Sequence, residues 1–350
     1  LAVVISLYYP AGMKPEMYPL LLVLALLCGC GIAGFSVGVA QVSYWYPQEK
    51  QGSALAVFGG VGNLAPGIFS FILPVALTTL GLARSYMAWL GLLVVGTILY
   101  ALYGRNAWYF QFLSQGLRPA EARQEAEKCG QTLFPADSLS ASLKASAGVW
   151  QTWALVCVYF TTFGGFMALT AWFPTYWKSS FGLSTLTAGL LTGTFSVLTS
   201  AIRVGGGILA DKLTEGGENT SILSLLIMII GSVVMLDAHR YELAVPGIVL
   251  LAFGMGLCNA AVFKIVPQAV PHAVGGAAGW VGGLGALGGF VIPLILGMAV
   301  RNLGREGYAI GFIVFIFLGL FSLALMWVLK YVRHIPSNAG TPRLAVQSAR

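Results

Sequence analysis

Long apolar runs separated by short polar turns dominate the chain. A helix that crosses a bilayer needs about 20 mostly apolar residues. Runs of that kind cover residues 17–46, 52–80, 86–103, 150–177, 186–210, 220–237, 243–266, 274–300 and 308–332. The apolar stretch Leu1–Tyr9 predicts the tail of one more helix. One long polar segment, residues 104–148, interrupts the series with Arg105, Arg118, Glu121, Arg123 and Lys128 among its charges. It separates three spans and a stub from six spans. The chain opens on Leu1 rather than Met, inside an apolar run and with no signal peptide, so an earlier segment is expected to be missing.

The pattern predicts an all-α polytopic membrane protein. Six spans, a charged central loop and six more spans is the arrangement of carriers built from two parallel repeats. On that template the chain begins late in the third helix. Residues 1–103 would then be the remainder of an N-terminal six-helix bundle and 104–148 a cytoplasmic central loop. Residues 149–332 would form the C-terminal six-helix bundle, and 333–350 a cytoplasmic tail.

Composition agrees with a chain built for lipid. It is 57% hydrophobic and 9% charged, with mean hydropathy +0.82, against about 25% charged residues in soluble domains. The net charge of +7 is not a nucleic-acid footprint, because most of the basic residues lie between the apolar runs. Eleven fall on the side of the central loop and six on the other. That bias orients the protein in the cytoplasmic membrane with the loop inside. Cys28, Cys30, Cys157 and Cys258 lie in apolar runs, where small buried thiols are expected. Convergent metal ligands, a phosphate loop and a nucleophile with its base are all lacking, so neither a metal, nor a cofactor, nor an enzymatic reaction is expected.

The chain repeats itself at an offset of 223 residues. Gly52 to Leu64 aligns with Gly275 to Leu287, with identities at Gly52, Ala54, Gly59, Gly60, Gly62 and Leu64. The same offset pairs Gly31 with Gly254 in the preceding spans. The two Gly-rich segments occupy the fifth and eleventh helices of the template. Gly59, Gly62 and Gly67 in the first, and Gly279, Gly282 and Gly289 in the second, lie on single helical faces where backbones can approach closely. Packing alone accounts for such faces, but two glycine-lined helices can also rock and narrow a pore. Asn63 sets an amide among these glycines, suited either to cargo or helix coupling or to a plain interhelical bond.

Two charges lie within spans, Arg203 and Lys264. An ionisable group in hydrocarbon is costly and normally faces a protein interior or a transport path. Gly193, Ser196, Ser200, Arg203 and Gly207 recur at helical spacing as one small, polar stripe. Arg203 is therefore read as an anion site in preference to a structural cation. Lys264 stands near the end of its span, just before Pro267. It either snorkels to the headgroups or, with Asn259, lines a path. Tyr159, Thr162, Phe163, Phe166 and Thr170 form a second stripe, by itself compatible with core or with cargo contact. No Asp, Glu or His stands mid-span, so a buried proton relay is not in view.

These residues resemble the nitrate/nitrite porter family of the major facilitator superfamily. Its paired signatures are similar to Gly59-Gly-Val-Gly62-Asn63-Leu64 and to Gly275 through Gly289. Its other marks match Tyr159 to Phe166 with Trp172-Phe173-Pro174, Arg203 to Lys212, and Asn259 to Pro267. The resemblance implies nitrate and nitrite as cargo, with Arg203, Tyr159, Phe163, Phe35 and Asn63 at the binding site. It further implies a carrier that works as a monomer in membrane lipid, without nucleic acid or cofactor. A guanidinium fork suits a flat anion with three acceptor oxygens. The chain departs from the family in two ways: the second-helix Arg is not in it, and Ala286 stands where the first signature has Asn63. Competing readings are a carrier for another small anion or an organic solute, or a non-transporting membrane sensor.

Overall fold

Apolar runs fold as helices here because a backbone in hydrocarbon must satisfy its own N–H and C=O groups. The computed structural model describes all residues except 11, 48–49, 136–138, 214–215, 239 and 334–350. The expected tail and His239 thus lie outside the described residues. Among the described residues every regular element is helical. The first part contains α1 (Ala2–Tyr8), α2 (Tyr18–Trp45), α3 (Gln51–Gly62), α4 (Leu64–Thr79) and α5 (Gly81–Tyr103). The polar segment carries α6 (Trp108–Ser114), α7 (Pro119–Lys128) and α8 (Leu139–Ala147). There follow α9 (Trp150–Tyr159), a π-turn (Phe160–Gly164), α10 (Gly165–Phe181), α11 (Thr185–Lys212), α12 (Gly216–Leu236) and α13 (Tyr241–Ala269). The chain ends in α14 (Val274–Ala286), α15 (Gly288–Leu303), α16 (Gly307–Ile310) and α17 (Ile313–Arg333).

Among the described residues eight helical stretches are long and apolar enough to cross a membrane. Beside them, α2 has 28 residues, about 42 Å at 1.5 Å per residue. Three expected spans are interrupted well inside their length, and the run 308–332 near its start, at Gly311–Phe312. The run 52–80 breaks at Asn63, whose φ of −87° and ψ of 3° leave the helical region. The run 274–300 breaks at Leu287, at the repeat-equivalent place within one residue. Both breaks end glycine-rich turns, where helix propensity is weakest. The third interruption is the π-turn between α9 and α10. The polar segment is more ordered than a loop: at the start of α7 the Arg118 backbone N–H donates to Glu121 Oε2 at 3.3 Å, and its Nε donates to Glu121 Oε1 at 3.0 Å.

Glycines let the first part lie against α11. A Cβ on Gly60 would fall 2.8 Å from the Ser200 carbonyl oxygen, and one on Gly67 2.8 Å from the Val197 nitrogen. One on Gly189 would fall 3.0 Å from the Ser70 carbonyl oxygen. These contacts run from α3 to α4 along most of α11, so backbones meet where side chains would hold them apart. In the second part Gly254 packs likewise against the α12 backbone at Met228. Its repeat partner Gly31 meets nothing within 4 Å.

Both signature helices are capped from outside at equivalent positions. The Ser53 N–H of α3 donates to Asp211 Oδ2 at 2.9 Å, and the Gly276 N–H of α14 donates to Ser142 Oγ of α8 at 3.0 Å. Ser53 and Gly276 are themselves 223 residues apart. Each cap satisfies one of the orphan donors that open a helix. Of the cysteines, Cys258 is buried and Cys157 half-buried, as expected. Cys28 instead is exposed.

Candidate functional site

Arg203 sits two-thirds along α11 and is 2% exposed. The small stripe that precedes it explains how a guanidinium fits between packed helices. Ser196 Oγ meets Thr170 Oγ1 at 2.8 Å, and Ser200 Oγ donates to the Asn63 carbonyl at 2.7 Å. Space for the guanidinium comes from α3. A Cβ on Gly59 would fall 2.5 Å from Arg203 Cζ and 2.6 Å from both Nε and Nη2. Gly59 is therefore the seat of the guanidinium.

Four aromatic rings surround the cation. Arg203 Cζ stands 5.3 Å from the centroid of Phe35, 5.8 Å from Phe163, 5.9 Å from Phe263 and 6.0 Å from Tyr159. Nη1 donates to Tyr159 Oη at 3.3 Å. Nε is buried without a hydrogen-bond partner, and no carboxylate pairs with the guanidinium among the described residues. Removing a charge from water costs several kcal/mol after relaxation. A desolvated cation–π contact returns about 2 kcal/mol, and an unmet buried donor costs about 1–3 kcal/mol. The site thus holds positive charge that the described residues compensate only in part, which suits it to an anion.

The π-turn shapes the aromatic wall. It widens the helix at Phe160–Gly164, and Tyr159 and Phe163, one turn apart, stack at 4.7 Å with 10° between ring planes. Phe163 faces Phe35 of α2 at 5.9 Å and 13°. A planar ion between two rings needs about 7 Å, twice an aromatic contact distance. Phe35 and Phe163 must separate by about 1 Å to admit one. Phe263 of α13 closes the side, nearly perpendicular to Tyr159 (86°) and to Phe35 (74°). Phe263 was not among the site residues expected from the sequence. The available signal was the Asn259–Phe263 spacing of one helical turn. Asn259 is 1% exposed and its Oδ1 has no partner among the described residues.

The remaining candidates divide. Asn63 is half-buried at the α3–α4 break, and its side-chain amide makes no hydrogen bond among the described residues. Lys264 stands apart from the aromatic box. Its Nζ donates to the Ala210 carbonyl and, at 2.8 Å, to Asp211 Oδ1. Asp211 also accepts from the Ser53 hydroxyl, so one cluster ties α3, α11 and α13 together. Among the signature glycines, Gly67 lies in a close backbone crossing, a Cβ on Gly289 would fall 2.9 Å from Met167 Cβ, and Gly282 is buried. Gly62 meets nothing within 4 Å, and Gly279 only Leu143 at 3.7 Å.

Comparison with known proteins places this geometry. Residues 1–236 match the Major Facilitator Superfamily. A Bacillus subtilis protein described as a nitrite extrusion protein is 29% identical, over 89% of this chain and 72% of its own length. A Thermus thermophilus protein, the probable nitrate/nitrite antiporter NarK1, is 30% identical over 89% of this chain and 70% of its own. Among solved structures, the human organic anion transporter MFSD10 superposes with a TM-score of 0.58 at 19% identity. It covers 83% of this chain and 67% of that one, which is a likeness of fold. The chain belongs to the major facilitator superfamily, within it to the nitrate/nitrite porters, and is a multi-pass membrane transporter and not an enzyme.

Proposed function

We propose that this protein carries nitrate and nitrite across the cytoplasmic membrane by alternating access. The ion would bind between two helical bundles, one ending at residue 103 and the other spanning 149–332, joined by the cytoplasmic segment 104–148. The observation that carries the reading is Arg203: a guanidinium buried among aromatic faces, with one neutral phenol as partner and a donor left over. Nitrate and nitrite are small planar anions whose oxygens accept from such a fork. Rings that exclude water strengthen that contact. The relatives described as a nitrite extrusion protein and a nitrate/nitrite antiporter support the same cargo. Glycine-to-backbone crossings leave little room for a bulky solute, which disfavours the organic-solute reading.

Exchange is the favoured mode. One elementary charge crossing 100 mV costs about 2.3 kcal/mol, so nitrate entering a negative cell alone is opposed roughly fifty-fold. Exchange for internal nitrite moves one anion each way and is electrically silent. Proteoliposomes should therefore take up nitrate when loaded with nitrite and show little uptake when empty, even under an imposed pH gradient. Strong pH-driven uptake without internal nitrite would replace exchange by proton symport. Absence of uptake in every condition would remove the transport reading itself.

The stacked rings give a second expectation. Phe35→Ala or Phe163→Ala should weaken nitrate binding about threefold to tenfold, the worth of an aromatic contact, with membrane insertion unchanged. If both variants bind like the parent, the stack is packing only.

A further inference from the structure

We propose that Gly285 is a positioning residue of the anion site, acting through Tyr159. The inference rests on the anion-binding reading above and extends it to a residue outside the aromatic box. Gly285 lies in the last turn of α14, buried against the end of α9. A Cβ there would stand 2.7 Å from Tyr159 Cδ1 and 3.0 Å from Tyr159 Cβ. Both atoms are near the root of a side chain that is 0% exposed and stacked on Phe163, so the ring has no free direction in which to retreat.

Tyr159 in turn holds Arg203. The bond from Nη1 to the phenol is 3.3 Å, already at the long end of the useful range. Restoring an ordinary contact of about 3.5 Å at residue 285 needs a ring shift of nearly 1 Å. That shift breaks or misaligns the Arg203 bond. The buried Nε, unpartnered and part of the same guanidinium, turns with it.

The surrounding backbone makes the coupling stiff. The π-turn meets the α14–α15 break with no side chains between. A Cβ on Gly164 would fall 2.6 Å from Gly288 Cα and 2.8 Å from the Gly285 carbonyl oxygen. Each signature segment thus touches one member of the Arg203–Tyr159 pair, Gly59 seating the cation and Gly285 its phenol. A movement of the second glycine helix reaches the ion through Tyr159.

The test is nitrate binding by isothermal titration to the purified protein. Gly285→Ala should raise the nitrate Kd about tenfold, the scale of an overpacked buried site. Gly283→Ala, on the same helix but with nothing within 4 Å of its new methyl, should leave Kd within about twofold. In a Tyr159→Ala background, adding Gly285→Ala should cost less than about twofold, because its target is gone. Unchanged binding by Gly285→Ala, or full additivity with Tyr159→Ala, would overturn the proposal. If Gly285→Ala gives no folded protein, recovery of yield in the double variant still locates the clash at Tyr159, and failure of both overturns it. Parent protein that does not bind nitrate would instead sink the anion reading on which the inference rests.

Discussion

Replacing Arg203 by Lys should lower nitrate affinity at least tenfold, about 1.4 kcal/mol or more. The charge is kept, so an electrostatic effect alone would change little. The fork is what disappears. In the parent, Nη1 is engaged by Tyr159 while the Nε side, lying against Gly59, has no partner among the described residues. One group therefore both docks on the wall of the site and offers N–H donors to an ion. An ammonium must choose between the phenol and the anion, and its compact charge does not fill a slot cut for a plane between rings at 5.3–6.0 Å. The check is nitrate titration of the purified variant, with thermal unfolding to establish that the fold persists. A Lys variant with parental affinity would show that Arg203 acts through charge alone or not at all.

Much of the fold was legible because hydrocarbon imposes one simple demand, and a long apolar run answers it only as a helix. What the runs did not disclose is where the helices stop being regular. The break at Asn63 and the matching break at Leu287 lie inside uniformly apolar, Gly-rich sequence. There hydropathy is blind and only weak helix propensity marks the place. The π-turn at Phe160–Gly164 is likewise silent in the pattern, since it inserts width without inserting polarity. It lies between Tyr159 and Gly165, within the segment that lines the site.

The site was legible where a charge betrayed it. Arg203 is conspicuous in a span, and its stripe of serines and glycines shows which face it shares. Phe263 was not conspicuous, because an aromatic residue in an apolar helix has packing as its ordinary explanation. Its role depends on α13 crossing beside Tyr159 and Phe35, a tertiary fact. Lys264 illustrates the converse. As a charge in a span it drew attention, and the structure gives it an ion-pair partner in Asp211 at the end of α11. The repeat showed which segments correspond without showing that their environments differ. Gly285, for example, stands against the Tyr159 ring, a contact that the glycine pattern does not announce.

Asn63→Asp should abolish nitrate uptake while leaving the protein in the membrane. The substitution is nearly isosteric, so packing at the α3–α4 break survives, including the bond from Ser200 Oγ to the residue-63 carbonyl. Among the described residues the side-chain amide has no hydrogen-bond partner to lose. The change is therefore one of charge. Residue 63 follows Gly59 by one turn, with the intervening backbone bond intact at 3.1 Å, and Gly59 is where the guanidinium rests. A carboxylate on that face would be drawn to the unpartnered side of Arg203 and occupy the position an incoming anion needs. At an effective dielectric of 20, unit charges 4 Å apart interact by about 4 kcal/mol, more than the 1.4 kcal/mol that separates each tenfold step in affinity. The internal carboxylate, present at high effective concentration, then outcompetes nitrate. Uptake into nitrite-loaded proteoliposomes is the measurement, with Asn63→Ala alongside. The Ala variant removes the amide without adding charge and should retain partial transport. Equal loss in both variants would assign the defect to the missing amide. Normal transport by Asn63→Asp would make Asn63 a structural residue of the helix break.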